Sequence, residues 1–300
     1  MSERYLDAVL PSTPVLVTGA TGYLGSHIVT YLRKLGYPVR ALARNPGQLA
    51  AARENGVDVF VGQATRPETL EGLCDGISVV VSVLGVRSLA RKPTPWEVDY
   101  QANLNVLTCA RRAGVKQFIF VGVLHGPELR ARIPVLEPRE RFADALRQSG
   151  LYWTILRPTG AFNDMRAIFQ QAQQRRVFLF GTGKARINPI HPTDLAAYVA
   201  RCIADPGARN NTYDFGGPDI LTYNEIAQMA FQALGTKPHV THLAPWLMDG
   251  ASQALRPFNS TASGFLRFFR LVTTTDMVGP CTGKVHLSDY FAQLAHQRRR

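Results

Sequence analysis

Three glycines at three-residue intervals, Gly19, Gly22 and Gly25, stand between a short apolar run, Val15 to Val17, and a segment of helical character, Ser26 to Leu35. Glycines at this spacing can hold a phosphate. A glycine at 19 lets the chain turn sharply off a strand. One at 22 leaves the backbone bare where a pyrophosphate must approach, and one at 25 lets the following helix pack closely on the sheet. The start of that helix offers free N–H groups and the positive end of its dipole to the anion. The apolar run reads as a parallel strand buried on both faces. A second strand, Pro38 to Ala43, closes a βαβ unit of about 30 residues, the size of a dinucleotide-binding unit. The residues expected to cradle the ligand are Gly19, Thr21, Gly22, Tyr23, Leu24 and Gly25.

The choice of dinucleotide is set at the end of the second strand. NAD-preferring sites place a carboxylate there, about 20 residues past the glycines, to receive the ribose hydroxyls. Here the strand ends in Val39-Arg-Ala-Leu-Ala-Arg44-Asn-Pro46, with no Asp or Glu. The guanidinium of Arg44, with Arg40 on the same strand, can pair with a 2′-phosphate and stack on adenine. The expectation is NADPH (NADP) rather than NADH.

The elements that must position these residues alternate between strand and helix: strands at Val57 to Val61, Ile77 to Ser82 and Phe118 to Val121, and a long helix at Trp96 to Ala113, whose Val98, Ala102, Val106 and Ala110 share one face. With 300 residues, 46% of them hydrophobic, the chain can bury a substantial core. No apolar run reaches the roughly 18 to 20 residues that span a bilayer. Met1 to Ser12 lacks a signal-peptide pattern, so secretion is not expected. Cys74, Cys109, Cys202 and Cys281 show no Cys-x-x-Cys spacing, which fits reduced thiols in the cytoplasm or another reducing compartment. The net charge of +12, part of it in Arg298-Arg-Arg300, suits an anionic cofactor, an acidic substrate or an anionic surface. No nucleic-acid-binding motif accompanies it, and nucleic acid is not an expected partner.

The glycine spacing Thr18-Gly-x-x-Gly-x-x-Gly25 resembles the short-chain dehydrogenase/reductase superfamily. So does the run from Asn103 through Ala113-Gly-Val-Lys-Gln-Phe-Ile-Phe-Val121. Further matches are Leu156-Arg-Pro-Thr-Gly-Ala-Phe162, Asn188-Pro-Ile-His-Pro-Thr-Asp-Leu-Ala196 and Gly216-Gly-Pro-Asp219. Together they resemble its NmrA-like, atypical branch, from Val15 to about Phe291. The resemblance implies that Gln63 and Ala64 meet the adenine, Gln63 standing where relatives commonly carry an Asp and offering its amide oxygen instead, and that Leu84 and Gly85 pass under the ribose. It also implies that Pro158 and Thr159 lie beside the nicotinamide, with Gly160, Phe162, Asn163 and Met165 on the substrate side; Asp164 is better suited to capping the next helix.

Ordinary members of the superfamily carry a Ser or Thr after the fifth strand and then Tyr-x-x-x-Lys, which polarise the substrate and move its proton. Those slots hold Gly122, Val135 and Arg139 here. Arg139 can bind ribose hydroxyls but cannot act as a base. His125 is then the first candidate proton donor. His191 and Asp194 are expected to anchor and cap, and His239 and His242 lack further ligands for a metal.

The C-terminal part reads as a helix, Tyr223 to Leu234, opened by the capping pair Thr222 and Glu225. Two less regular segments follow across Pro245 to Thr273, and then a last helix, Lys284 to Leu294. Gly264 to Leu271 mixes bulky apolar residues with arginines; it could touch a membrane surface, although packing over the substrate lobe is the plainer expectation. The expected fold is α/β: a Rossmann-type doubly wound parallel sheet in residues 1–160. A smaller, mostly helical substrate lobe in 161–300 is partly interleaved with it. The expected function is an NADPH-dependent reductase of a small-molecule substrate, apolar and conjugated or aromatic. The alternative is an NADPH-binding sensor or assembly protein without turnover. A nucleotide-sugar epimerase or dehydratase is disfavoured, since that chemistry needs the same Tyr and Lys.

Overall fold

The computed structural model describes residues 12–86 and 89–298. The segment before Ser12 and the tail at 299–300, both considered above, lie outside the described residues. The first half of the chain runs β1 (Val15–Thr18), α1 (Tyr23–Lys34), β2 (Val39–Ala43), α2 (Ala50–Glu54), β3 (Asp58–Val61), β4 (Val79–Ser82), α3 (Asn103–Arg112), β5 (Gln117–Val121), α4 (Gly126–Leu129), α5 (Glu137–Arg147) and β6 (Tyr152–Pro158). The second half runs α6 (Phe162–Gln173), β7 (Val177–Phe180), β8 (Arg186–Ile187), α7 (Pro192–Ala204), β9 (Asn211–Phe215), β10 (Leu221–Thr222), α8 (Tyr223–Leu234), β11 (Val240–Leu243), α9 (Trp246–Leu255), α10 (Ser260–Thr274) and α11 (Leu287–Arg298).

Seven strands form one sheet in the order β3-β2-β1-β4-β5-β6-β9. Strands β1 to β6 pair in parallel, with Val15 opposite both Val39 and Val79. Because β1 and β4 are adjacent, the strand order reverses there, and ligands of open α/β sheets bind outside the carboxyl ends of strands at such a point. Every residue of β1, β4 and β5 is buried, as expected of strands covered by helices on both faces. The fold is a Rossmann-type doubly wound sheet.

The chain divides into two compact units. The first holds most of the sheet, drawn from described residues up to 86, 92–157 and 195–213; the second is built from 89–91, 158–194 and 214–298. In the first, Phe118 and Phe120 of β5 pack on Phe142 of α5, with ring centroids 5.7 and 4.8 Å apart. In the second, β7 pairs with β11 and β8 with β10. Buried Asn188 ties separate segments together: its side chain donates to the carbonyls of Gly217 and Gly279 and accepts the N–H of Gly279.

Three elements differ from expectation for local reasons. The helix expected to begin at Trp96 starts there as a π-type stretch, Trp96–Ala102, and becomes α-helical at Asn103. The last helix begins later than Lys284, because the N–H groups of Lys284 and Val285 are taken by the Asp194 carboxylate at 2.9 and 3.0 Å. Asp194 therefore anchors this segment. The stretch from Pro245 to Thr273 holds two regular helices, α9 and α10. The Thr222–Glu225 capping box is present, with Glu225 N–H donating to Thr222 Oγ1 at 3.2 Å and Thr222 N–H to Glu225 Oε2 at 2.7 Å.

Phe142 is fully buried between two rings of β5. Phe142→Ala is expected to lower unfolding stability by about 3–5 kcal/mol, read as an earlier urea midpoint of the far-UV signal.

Candidate functional site

The three glycines do different work. Gly19 has a left-handed backbone, φ 76°, and a methyl there would press on Val83 at 3.0 Å. A methyl on Gly25 would overlap the Gly19 carbonyl, so this glycine lets α1 lie directly on the turn. Gly22 is exposed, and a methyl there would meet only the Gly19 carbonyl, at 3.2 Å. The space above the turn is therefore open at Gly22, where a pyrophosphate has to come close, and closed at the other two. Helix α1 starts at Gly22 with no side-chain cap and no acidic residue in its first turn, which leaves its positive dipole end uncompensated. These residues fit a dinucleotide phosphate. Thr21 is exposed, and Tyr23 and Leu24 are half-buried at the helix start.

Arg44 follows β2 directly and is exposed. No hydrogen bond or ion pair of its side chain is described. Arg40, its neighbour on the strand, is committed elsewhere: it pairs with Asp58 at 2.6 Å and donates to the carbonyls of Leu73 and Asp75, each at 3.0 Å. Gln63 donates its amide N–H to Thr65 Oγ1 at 2.8 Å, and the Ala64 carbonyl accepts the Asn105 amide at 2.9 Å.

The ends of β1 and β4 are locked by a buried chain of side chains. Thr18 Oγ1 donates to Ser82 Oγ at 3.0 Å, and Ser82 Oγ donates to Asn103 Oδ1 at 2.5 Å. Beyond it, Asp99 and Arg139 form a close pair. Arg139 Nε and Nη2 both reach Asp99 Oδ1, at 2.8 and 2.5 Å, while Asp99 Oδ2 accepts the Val86 N–H at 2.9 Å. The remaining Arg139 bonds go to the carbonyls of Val121 and Leu84. Four hydrogen bonds of this guanidinium thus serve the protein, and it ties the end of β4 to the end of β5. A methyl on Gly85 would overlap that guanidinium, so Gly85 makes room for Arg139 as well as keeping the loop thin.

A second buried pair lies one residue on. Glu140 Oε2 accepts Arg157 Nη2 at 2.7 Å, and a methyl on Gly126 would overlap the Glu140 carboxyl. Burial pushes the Asp99 and Glu140 carboxyls above the ordinary carboxylate range, and the arginine partner pulls each back. Gly122, in the slot of the usual serine, has Arg157 Cγ 3.6 Å from where its Cβ would be. His125, just after β5, is exposed and left-handed, φ 55° and ψ 18°. For a residue with a Cβ such a backbone is uncommon and costs of order 1–3 kcal/mol.

The second unit, taken by itself, holds the other expected residues. Thr159 is buried; its hydroxyl donates to the Asn188 carbonyl at 2.5 Å and its N–H to the Phe215 carbonyl at 3.1 Å. A methyl on Gly160 would press on Ile187 at 2.8 Å. Phe162 and Met165 are buried, Phe162 edge-on to His191 at 5.3 Å, while Asn163 is half-buried. Asp164 caps α6 by accepting the Ala161 N–H at 3.1 Å, and Pro158 ends β6. His242 bonds Asn224 at 2.9 Å. Among the described residues no cluster of three metal-ligating side chains occurs, and no helix is long and apolar enough to cross a membrane.

Sequence reasoning missed Asp99 and Glu140. A weak signal existed: Asp99 lies one helical turn before Asn103, and Glu140 follows the arginine in the lysine slot.

A family model described as NAD(P)H-binding matches residues 19–206, more than half of the chain. The chain belongs to that NAD(P)H-binding family. A divinyl chlorophyllide a 8-vinyl-reductase of Oryza sativa subsp. indica is 32% identical over 80% of this chain. The chain spans 63% of that relative's length, just under two thirds. A photosystem II assembly factor of Guillardia theta is 27% identical over 76% of this chain and 73% of its own. An NADPH-dependent quinone oxidoreductase of Escherichia coli, solved with NADPH, has the same fold, with a TM-score of 0.74 and 19% identity over 93% of this chain and 99% of its own.

Asp99→Asn leaves the Arg139 guanidinium partly buried opposite a neutral side chain. The expected cost is about 3–5 kcal/mol, checked by chemical denaturation; Asp99→Asn combined with Arg139→Met should recover most of it, since no charge is then stranded.

Proposed function

We propose that the protein is an NADPH-dependent reductase of a small or medium apolar substrate, conjugated or aromatic. The observation that carries the cofactor choice is Arg44: a cation on the surface at the end of β2, with no described partner, where an NAD-preferring site keeps a carboxylate. Gly19, Thr21, Gly22, Tyr23, Leu24 and Gly25 would hold the pyrophosphate, Arg44 the 2′-phosphate, Gln63 and Ala64 the adenine, and Leu84 and Gly85 the ribose. When bound, the reduced nicotinamide supplies a hydride. The substrate class is supported by the relatives, since a vinyl reductase and a quinone oxidoreductase both name conjugated acceptors. Such acceptors spread the charge that follows hydride addition, which lowers the demand on a hydroxyl of the kind missing at 122 and 135.

In this reading Arg139 is a positioning residue. It holds the Leu84 carbonyl and, through Asp99, the Val86 N–H, so that the loop expected under the ribose keeps one shape. Its guanidinium stays charged and moves no proton. His125 supplies the proton that balances the hydride. The strain held in its backbone is the kind that accumulates at functional sites.

A second reading, an NADPH-binding sensor or assembly protein without turnover, is favoured by two observations. No hydroxyl or amine stands in the slots at 122, 135 and 139, and the Guillardia theta relative is an assembly factor.

Titration with NADPH and NADH, followed by NADPH oxidation in the presence of quinones and vinyl-bearing tetrapyrroles, separates the two. Arg44→Ala is expected to weaken NADPH about 10- to 100-fold and to leave NADH unchanged. Wild-type protein that binds both equally would sink the cofactor choice. Tight NADPH binding with no oxidation by any acceptor would favour the second reading. His125→Asn tolerates the left-handed backbone but carries no transferable proton; turnover should fall about 100-fold or more with the unfolding midpoint unchanged.

A further inference from the structure

Helix α9 is built inside out. Its positions 246, 247, 250, 251, 254 and 255 fall on one helical face, and they are Trp246, Leu247, Gly250, Ala251, Ala254 and Leu255, all exposed. Trp246 is 68% exposed, and Phe258 just past the helix is 72% exposed. The inward face carries Met248 and Asp249, half-buried, and Ser252, buried. Ser252 is buried and donates to the Ser263 carbonyl of α10 at 3.1 Å, with Thr261, Ser263 and Gly264 buried on the α10 side. The buried residues at this contact are thus small, while the large apolar Trp246, Leu247 and Leu255 of α9 are exposed, the reverse of a helix packed on a water-soluble core. Leu89 extends the patch: it is exposed, and its carbonyl accepts the Asn259 side chain at 2.8 Å.

We propose that this face docks on an anionic lipid surface, lying in the headgroup region. Length excludes a span. With 10 and 15 residues, α9 and α10 are about 15 and 22 Å long, against the roughly 30 Å of a bilayer core. Charge selects an anionic surface. The one acidic residue of α9, Asp249, is paired with Arg270 at 3.0 Å. Arg256 at the end of α9 is exposed, and Arg267 of α10 is half-buried; no ion pair of either is described. The rim is left positive on a chain of net charge +12. A tryptophan and a phenylalanine flanking an apolar stripe, with arginines at its edge, are the parts of an interfacial helix. A second copy is a poorer occupant, since a two-fold contact through this face would set like-charged rims against each other. The proposal is independent of whether the protein turns over.

The test is co-sedimentation of the full chain with phosphatidylcholine vesicles, with and without phosphatidylglycerol, together with the emission of Trp246. Binding to the anionic vesicles is expected, with a blue shift, and it should weaken as salt is raised. Arg256→Gln should weaken it about fivefold. Trp246→Ser with Phe258→Ser should weaken it tenfold or more while the unfolding midpoint stays put, because both side chains are on the surface. The proposal is overturned by no partition onto anionic vesicles, by equal binding to vesicles without phosphatidylglycerol, or by undiminished binding of the double-serine variant. A dimer in light scattering that the same variant dissolves would assign the face to a second copy instead.

Discussion

The Asp99–Arg139 pair is the interaction on which the rest of the first unit's ligand-facing edge depends. One carboxylate oxygen accepts two N–H bonds from the guanidinium and the other accepts the Val86 N–H. The guanidinium in turn holds carbonyls at the ends of two strands. Taking both groups out of water is costly, and that cost is met only because almost every donor and acceptor finds a partner. A lysine in the same slot would offer a single point charge in place of a planar fork. The arginine in this slot makes four hydrogen bonds to the protein, to Asp99 and to the carbonyls of Val121 and Leu84.

This pair sits beside two other buried connections. The Thr18–Ser82–Asn103 chain joins the two strands that flank the switch point. The Glu140–Arg157 pair fixes α5 to the end of β6. All three hold buried polar side chains in fixed hydrogen bonds, with Arg157 Nε left without a partner, which rigidifies this edge of the sheet. What remains adjustable on this edge is on the surface: the bare turn at Gly22, the free arginine at 44, and His125 on its strained backbone.

The second unit is organised differently. Its segments are joined through backbone groups gathered by Asn188 and Asp194, not by a large sheet. That economy leaves the α9–α10 hairpin with small buried residues at its contact and the large apolar Trp246, Leu247 and Leu255 exposed.

Much of the fold was legible in the amino-acid order. Hydrophobic run, glycine spacing and helix in immediate succession specify a βαβ unit, because each is a local constraint: a turn that only glycine makes cheaply at φ 76°, a strand apolar on both faces, a helix needing close approach. The Thr222–Glu225 cap is local too, three residues apart. The absent carboxylate after β2 and the empty serine and tyrosine slots were equally readable. The partner of Arg139 was not, since Asp99 lies 40 residues away and any of several carboxylates could have reached it. Nor was the orientation of α9. Spacing tells which residues share a helical face, but only the packing of Ser252 against Ser263 decides that the apolar face of α9 is turned to the outside. The sequence by itself determined the sheet, the dinucleotide turn and the missing triad, which rest on local stereochemistry and residue identity. The tertiary structure alone decided which charges are buried together and which apolar surface is left uncovered, because both depend on neighbours that come together only when distant segments fold.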